Sequence, residues 1–161
     1  MKKALWLEDQ YEDIFEYSSG LARINYLVDP VKSVSEALNK LKKEEYDLYI
    51  FDLKVIPGEN EDWQALDERK RDENPHFDPY LGVELLRFLD KARKEQNELW
   101  GKIKFDFSKV IVFSVVNDKE VYYELRAFGI PHEQIVYKSD SKLDTLKDLI
   151  KKIQNQENGN K

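Results

Sequence analysis

Short apolar runs punctuate the chain, and each stops at a polar or charged residue. Ala4–Leu7 runs into Glu8 and Asp9, Asp47–Phe51 into Asp52, Val110–Phe113 into Ser114 and Ile135–Tyr137 into Lys138. A further run, Ile24–Val28, ends at Asp29-Pro30. Continuous β-branched and aromatic runs of this length predict strands buried on both faces of a parallel sheet. Between them the apolar positions recur at helical spacing. Residues 10–19 carry Tyr11, Ile14, Phe15 and Tyr17 largely on one side. Residues 33–43 open with Ser33 as an N-cap, with Glu36 three positions on, and carry Val34, Ala37, Leu38 and Leu41. Residues 81–94 present Val83, Leu85, Leu86 and Leu89, and residues 118–128 present Val121, Tyr122, Leu125 and Phe128 with Gly129 as the stop. Residues 141–154 carry Leu143, Leu146, Leu149, Ile150 and Ile153.

A βα unit repeated five times predicts an α/β fold, a doubly wound five-stranded parallel sheet with right-handed crossovers. Two stretches break the repeat. Residues 57–80, an extended connection leaving the third strand, are dominated by charge and hold little periodicity; residues 95–108 contain Trp100, Phe105 and Phe107. Connections this long are functional or disordered. The first reads either as a solvated insertion or as a lid or partner surface anchored by Trp63, Phe77 and Tyr80. One domain is expected over 1–154, with residues 155–161 as a polar tail that frays.

Composition narrows the function classes. A net charge of −6 argues against a nucleic-acid partner bound through a broadly basic surface, and against attachment to anionic membrane. The absence of cysteine removes disulfides, thiol catalysis and cysteine zinc sites, and is compatible with a cytoplasmic location. His76 and His132 lack ligand-like spacing, so neither a histidine metal centre nor a Ser-His-Asp triad is expected. The first apolar run is too short for a signal peptide or a membrane helix.

In open parallel sheets ligands bind beyond the carboxyl ends of the strands. That rule gathers Glu8, Asp9, Asp52, Ser114 and Lys138 onto one edge. Taken singly, these residues read blandly: a solvated acidic pair, a strand-end hydroxyl, an exposed lysine. Taken together they bring carboxylates that repel one another unless a cation compensates them. Mg²⁺, which takes oxygen ligands and uses one or two carboxylates, suits that cluster.

The segments Leu7-Glu8-Asp9, Tyr46–Leu53 around Asp52, Leu81–Leu86 with Gly82, Val110–Ser114 and Val136–Lys138 occur in the order found in two-component signalling proteins. On these residues the chain resembles the response-regulator receiver domain of the CheY-like superfamily, a flavodoxin-like (βα)5 fold. The resemblance implies that Asp52 is the phosphoacceptor. It implies Mg²⁺ held directly by Asp9 and Asp52, through water by Glu8, and by the backbone carbonyl of Lys54. Lys138 would pair with phosphoryl oxygens and Ser114 would donate a hydrogen bond to one of them. The implied partners are a histidine kinase or phosphotransfer protein and an output protein of unknown identity. No output domain is expected after residue 154. No enzymatic role is expected beyond Mg²⁺-dependent self-phosphorylation and autodephosphorylation. The chain departs from the family pattern at Val115, normally small, at Ser139, normally proline, and at Ile135, normally aromatic, while Tyr137 adjoins the lysine. Lys54 brings a second cation near the site. Val115, Ser139 and the two long insertions favour the alternative of a pseudo-receiver that binds a partner without phosphorylation. A phosphohydrolase of the haloacid-dehalogenase type is disfavoured, because Asp52-Leu53-Lys54 lacks its second acid.

Overall fold

The computed structural model describes residues 1–140 and 143–159, apart from the side chains of Tyr11, Asp13 and Asp140. In it the apolar runs form strands and the periodic segments form the helices that cover them. The chain runs β1 (Lys2–Leu7), α1 (Tyr11–Ala22), β2 (Tyr26–Val31), α2 (Val34–Lys43), β3 (Leu48–Phe51), α3 (Glu61–Glu73), α4 (Leu81–Glu95), α5 (Glu98–Lys102), β4 (Val110–Ser114), α6 (Lys119–Ala127), β5 (Ile135–Tyr137) and α7 (Leu143–Gly159). The five strands lie in the order β2-β1-β3-β4-β5, and every pair is parallel. This is the doubly wound sheet that the alternating pattern predicts. Strand order reverses beside β1, so β1 and β3 flank the crevice where such sheets bind ligands.

The pleat sends alternate side chains of each strand to opposite faces. In β1, Leu5 and Leu7 join one core with Leu38 and Leu41 of α2, Leu85 and Leu89 of α4, and Leu125 of α6. Ala4 and Trp6 point the other way, into a second core with Ile14 and Leu21 of α1 and Leu146, Ile150 and Ile153 of α7. The two cores explain why the inner strands are apolar throughout. β2 lies at the sheet edge and, among the described residues, pairs only with β1. It therefore tolerates Pro30, opposite Trp6, and continues to Val31.

Four expectations need correction. The connection after β3 is not an irregular loop, since it contains α3. Asn60 caps that helix by accepting from the Trp63 N–H at 3.1 Å, and Arg71–Asp67 and Arg69–Glu73 pairs brace its surface. Trp63 is its buried residue, so it shows almost no apolar period. The connection over 95–108 holds α5 and a 3-10 turn at Phe107–Lys109, and Phe105 packs 4.5 Å from Tyr49 between ring centroids. Phe15, expected on the buried side of α1, is 74% exposed, because Ile14 and Leu21 set the inward face. The polar tail is helical as far as Gly159, where Glu157 bridges Lys2 at 3.0 Å and Lys109 at 3.3 Å. The Tyr11 side chain, the expected helical start at 141–142 and the last residues of the tail, 160 and 161, lie outside the described residues.

Candidate functional site

Parallel register builds the site at the carboxyl edge. The Glu8 N–H donates to the Val31 carbonyl at 2.9 Å and the Asp52 N–H to the Leu7 carbonyl at 3.0 Å, so the residues just past β1 and β3 stand side by side. Ser114 ends β4, and its register partner Tyr137 immediately precedes Lys138. Backbone pairing alone thus brings four strand ends together.

The side chains converge. Carboxylate oxygens of Glu8, Asp9 and Asp52 lie within 4.8 Å of one another. Ser114 Oγ donates to Asp52 Oδ1 at 2.7 Å, where the Leu53 N–H also donates at 2.7 Å. Lys138 Nζ donates to Asp52 Oδ2 at 3.1 Å and to Glu8 Oε2 at 2.5 Å. Glu8 is 1% exposed and Asp52 4%, whereas Asp9 is half-buried. Buried carboxylates need donors or a cation, and both kinds of partner are here.

Burial pushes the Glu8 carboxyl up to about 7, and the neighbouring Asp52 charge adds to this against the pull of Lys138. Burial pulls the Lys138 ammonium down, but its hydrogen bond to Glu8 and the Asp52 charge more than offset that, so its pKa is raised. One ammonium among three carboxylates leaves the cluster electron-rich. Hard oxygen donors at this spacing fit a small divalent cation such as Mg²⁺. A hydroxyl and an ammonium meeting on Asp52 also form a ready donor pair for an oxyanion.

Lys54 behaves differently from expectation. Its backbone stays beside the site, with the N–H 3.4 Å from Asp52 Oδ1, but its ammonium lies 5.9 Å from the Tyr80 ring centroid. The ring thus draws this second cation, whose side chain is exposed. Gly82, absent from the predicted site set, controls the approach of α4. A Cβ there would fall 2.3 Å from the Asp52 carbonyl oxygen, and the Gly82 N–H donates to Leu53 O at 3.0 Å. The signal for it was the glycine directly after Leu81 at the helix start.

No protein-family model matches the sequence, and no curated protein matches it. Solved structures do match. A CheY-like receiver domain protein from Methanospirillum hungatei is 19% identical, with 99% of this chain and 98% of that one covered at a TM-score of 0.61. The chain has the receiver fold. A two-component response regulator from Clostridium difficile aligns with a TM-score of 0.66 at 15% identity, covering 98% of this chain and 99% of that one. CheY4 of Vibrio cholerae aligns at 18% identity and a TM-score of 0.59, covering 94% and 98%. Identity this low speaks for the fold. Within this receiver fold the acidic cluster sits at the ends of β1 and β3 and the hydroxyl and ammonium at the ends of β4 and β5. Among the described residues no helix is long and apolar enough to cross a membrane.

Proposed function

We propose that the chain is a phosphoacceptor receiver domain, phosphorylated on Asp52 by a histidine kinase or phosphotransfer protein and signalling through contact with an output protein. The observation that carries this reading is the environment of Asp52. Its carboxylate is buried against two other acids, with Ser114 on one oxygen and Lys138 on the other. Asp9 and Asp52 would hold Mg²⁺ directly, Glu8 through water, with the Lys54 carbonyl as a further ligand. When bound, the ion supplies positive charge to offset the incoming phosphoryl oxygens. An Asp52 carboxylate oxygen attacks phosphorus in line, and the bond from phosphorus to the donor's imidazole nitrogen breaks with its electron pair leaving on that nitrogen. Ser114 and Lys138, which now donate to Asp52, turn their protons toward the new phosphoryl oxygens. Movement of the Ser114 hydroxyl biases the segment leading into α6, which couples chemistry to a surface. No further catalytic activity is assigned, apart from slow self-phosphorylation and autodephosphorylation.

Incubation with acetyl phosphate and Mg²⁺ is expected to add one phosphoryl group by intact mass, and chelation or Asp52→Asn to abolish it. An unmodified wild-type protein under those conditions removes the reading. One observation favours a pseudo-receiver instead: Lys138 already bridges Glu8 and Asp52, an arrangement that neutralises part of the cluster without metal. Mg²⁺ titration separates the two, since a phosphorylation-independent binding module has no need to hold the ion.

A further inference from the structure

A groove of about 350 Å³ opens between the end of α3, the start of α4 and the first turns of α6. The phosphoacceptor chemistry makes no use of it. Its floor is apolar: Tyr80, Val83 and Val121 line it, and Phe77 stands edge-on to Tyr80 with ring centroids 4.9 Å apart. Phe77 is 46% exposed, so an incoming apolar side chain would release water from both partners.

The walls are charged, and unequally so. Five carboxylates face two cations. Both cations are already committed within the walls: Lys70 Nζ lies 3.0 Å from Glu84 Oε1, and Arg87 forks onto Glu124 at 2.5 and 2.6 Å. Asp118 and Glu120 are left as surplus negative charge around the apolar floor, and Glu73 has its ion-pair partner, Arg69, at 4.0 Å and outside the groove lining. Asp118 accepts from the Glu120 and Val121 N–H groups as the α6 cap. Tyr80 already carries the Lys54 ammonium over its ring, which shows the kind of group this floor accepts.

We propose that this groove docks a basic segment of a partner protein, in which an aromatic or aliphatic side chain seats on Phe77 and Tyr80 and flanking arginines or lysines meet Glu73, Asp118 and Glu120. Charge complementarity selects this occupant. A second copy docking by the same face would bring like charge against like, in a chain whose net charge is −6. The spread of these acids between the end of α3 and the start of α6 suits an extended segment better than a compact small molecule.

The test uses unphosphorylated full-length protein, so its outcome is independent of the Asp52 chemistry. Isotope-labelled protein is titrated with an end-blocked peptide carrying a tryptophan flanked on both sides by arginines. Saturable amide shifts confined to residues 73–84 and 118–124 are expected, with no shifts from a glutamate-flanked counterpart. Phe77→Ala and, separately, Glu120→Lys should each weaken binding about tenfold, or roughly 1.4 kcal/mol. Shifts scattered over the whole acidic surface and unchanged by Phe77→Ala would overturn the proposal. So would concentration-dependent self-association that Phe77→Ala abolishes, which would give the groove to a second copy.

Discussion

Glu8 loses nearly all of its water where β1 ends, and its neighbour across the strand pair is another carboxylate. Both effects favour the protonated form, which is why its pKa stands at about 7 against an ordinary 4.5. The consequence for stability has a definite sign. A folded state that binds the proton more tightly than the unfolded chain is favoured below the unfolded value and loses that advantage as pH rises through the folded one. In metal-free protein, unfolding free energy from urea titrations should therefore carry a Glu8 contribution that declines between about pH 4.5 and 7 by roughly 2 to 3 kcal/mol. Other carboxylates titrate in the same range, so the reading is the difference from Glu8→Gln, which lacks the group. Parallel pH profiles for the two proteins would contradict this account of Glu8. Lys138 moderates the effect without cancelling it, since its single charge is shared between Glu8 and Asp52.

At the scale of elements, α3 is the odd one out. It buries one side chain, Trp63, which meets Phe88 of α4 with ring centroids 5.7 Å apart. The rest of its stability comes from the half-buried Leu66, the Asn60 cap, exposed ion pairs and the Lys70–Glu84 tie to α4. Exposed pairs contribute only a few tenths of a kcal/mol each and a cap about 1. α3 should accordingly open far more readily than the sheet. Trp63→Ala removes its one fully buried anchor, leaving the half-buried Leu66, and should cost about 3 kcal/mol. Hydrogen exchange is expected to show residues 61–73 losing protection in that variant while β1, β3 and β4 keep theirs. Unchanged protection over 61–73 would mean that Leu66 and the polar contacts hold the helix without Trp63.

For the whole molecule, the acidic cluster exists only when β1 and β3 are paired, because Glu8 and Asp9 are far in sequence from Asp52. A divalent ion that needs this cluster binds the native state and not the unfolded chain. Binding then raises stability by mass action, by about 2.7 kcal/mol at a hundredfold excess over the dissociation constant. Thermal unfolding should shift upward with Mg²⁺ and fall back on chelation, and Asp9→Asn should respond much less. A midpoint indifferent to Mg²⁺ across the millimolar range would leave the cluster without its proposed ion.

The strand runs, the alternation of strands and helices and the acids, hydroxyl and lysine at strand ends were all legible in the linear order of residues. Buried parallel strands must be apolar on both faces, and the strand-end rule then sorts chemistry to one edge. α3 was illegible because caps and polar pairs hold it, and these leave no apolar stripe to read. Phe15 was misread because helical period places a face without saying which side the core takes. Only the tertiary structure decided that Lys138 spans Glu8 and Asp52, that the Lys54 ammonium turns away to Tyr80, and that Gly82 admits α4 against Asp52. Those are distances between residues remote in the chain, set by register and packing, and no local pattern encodes them.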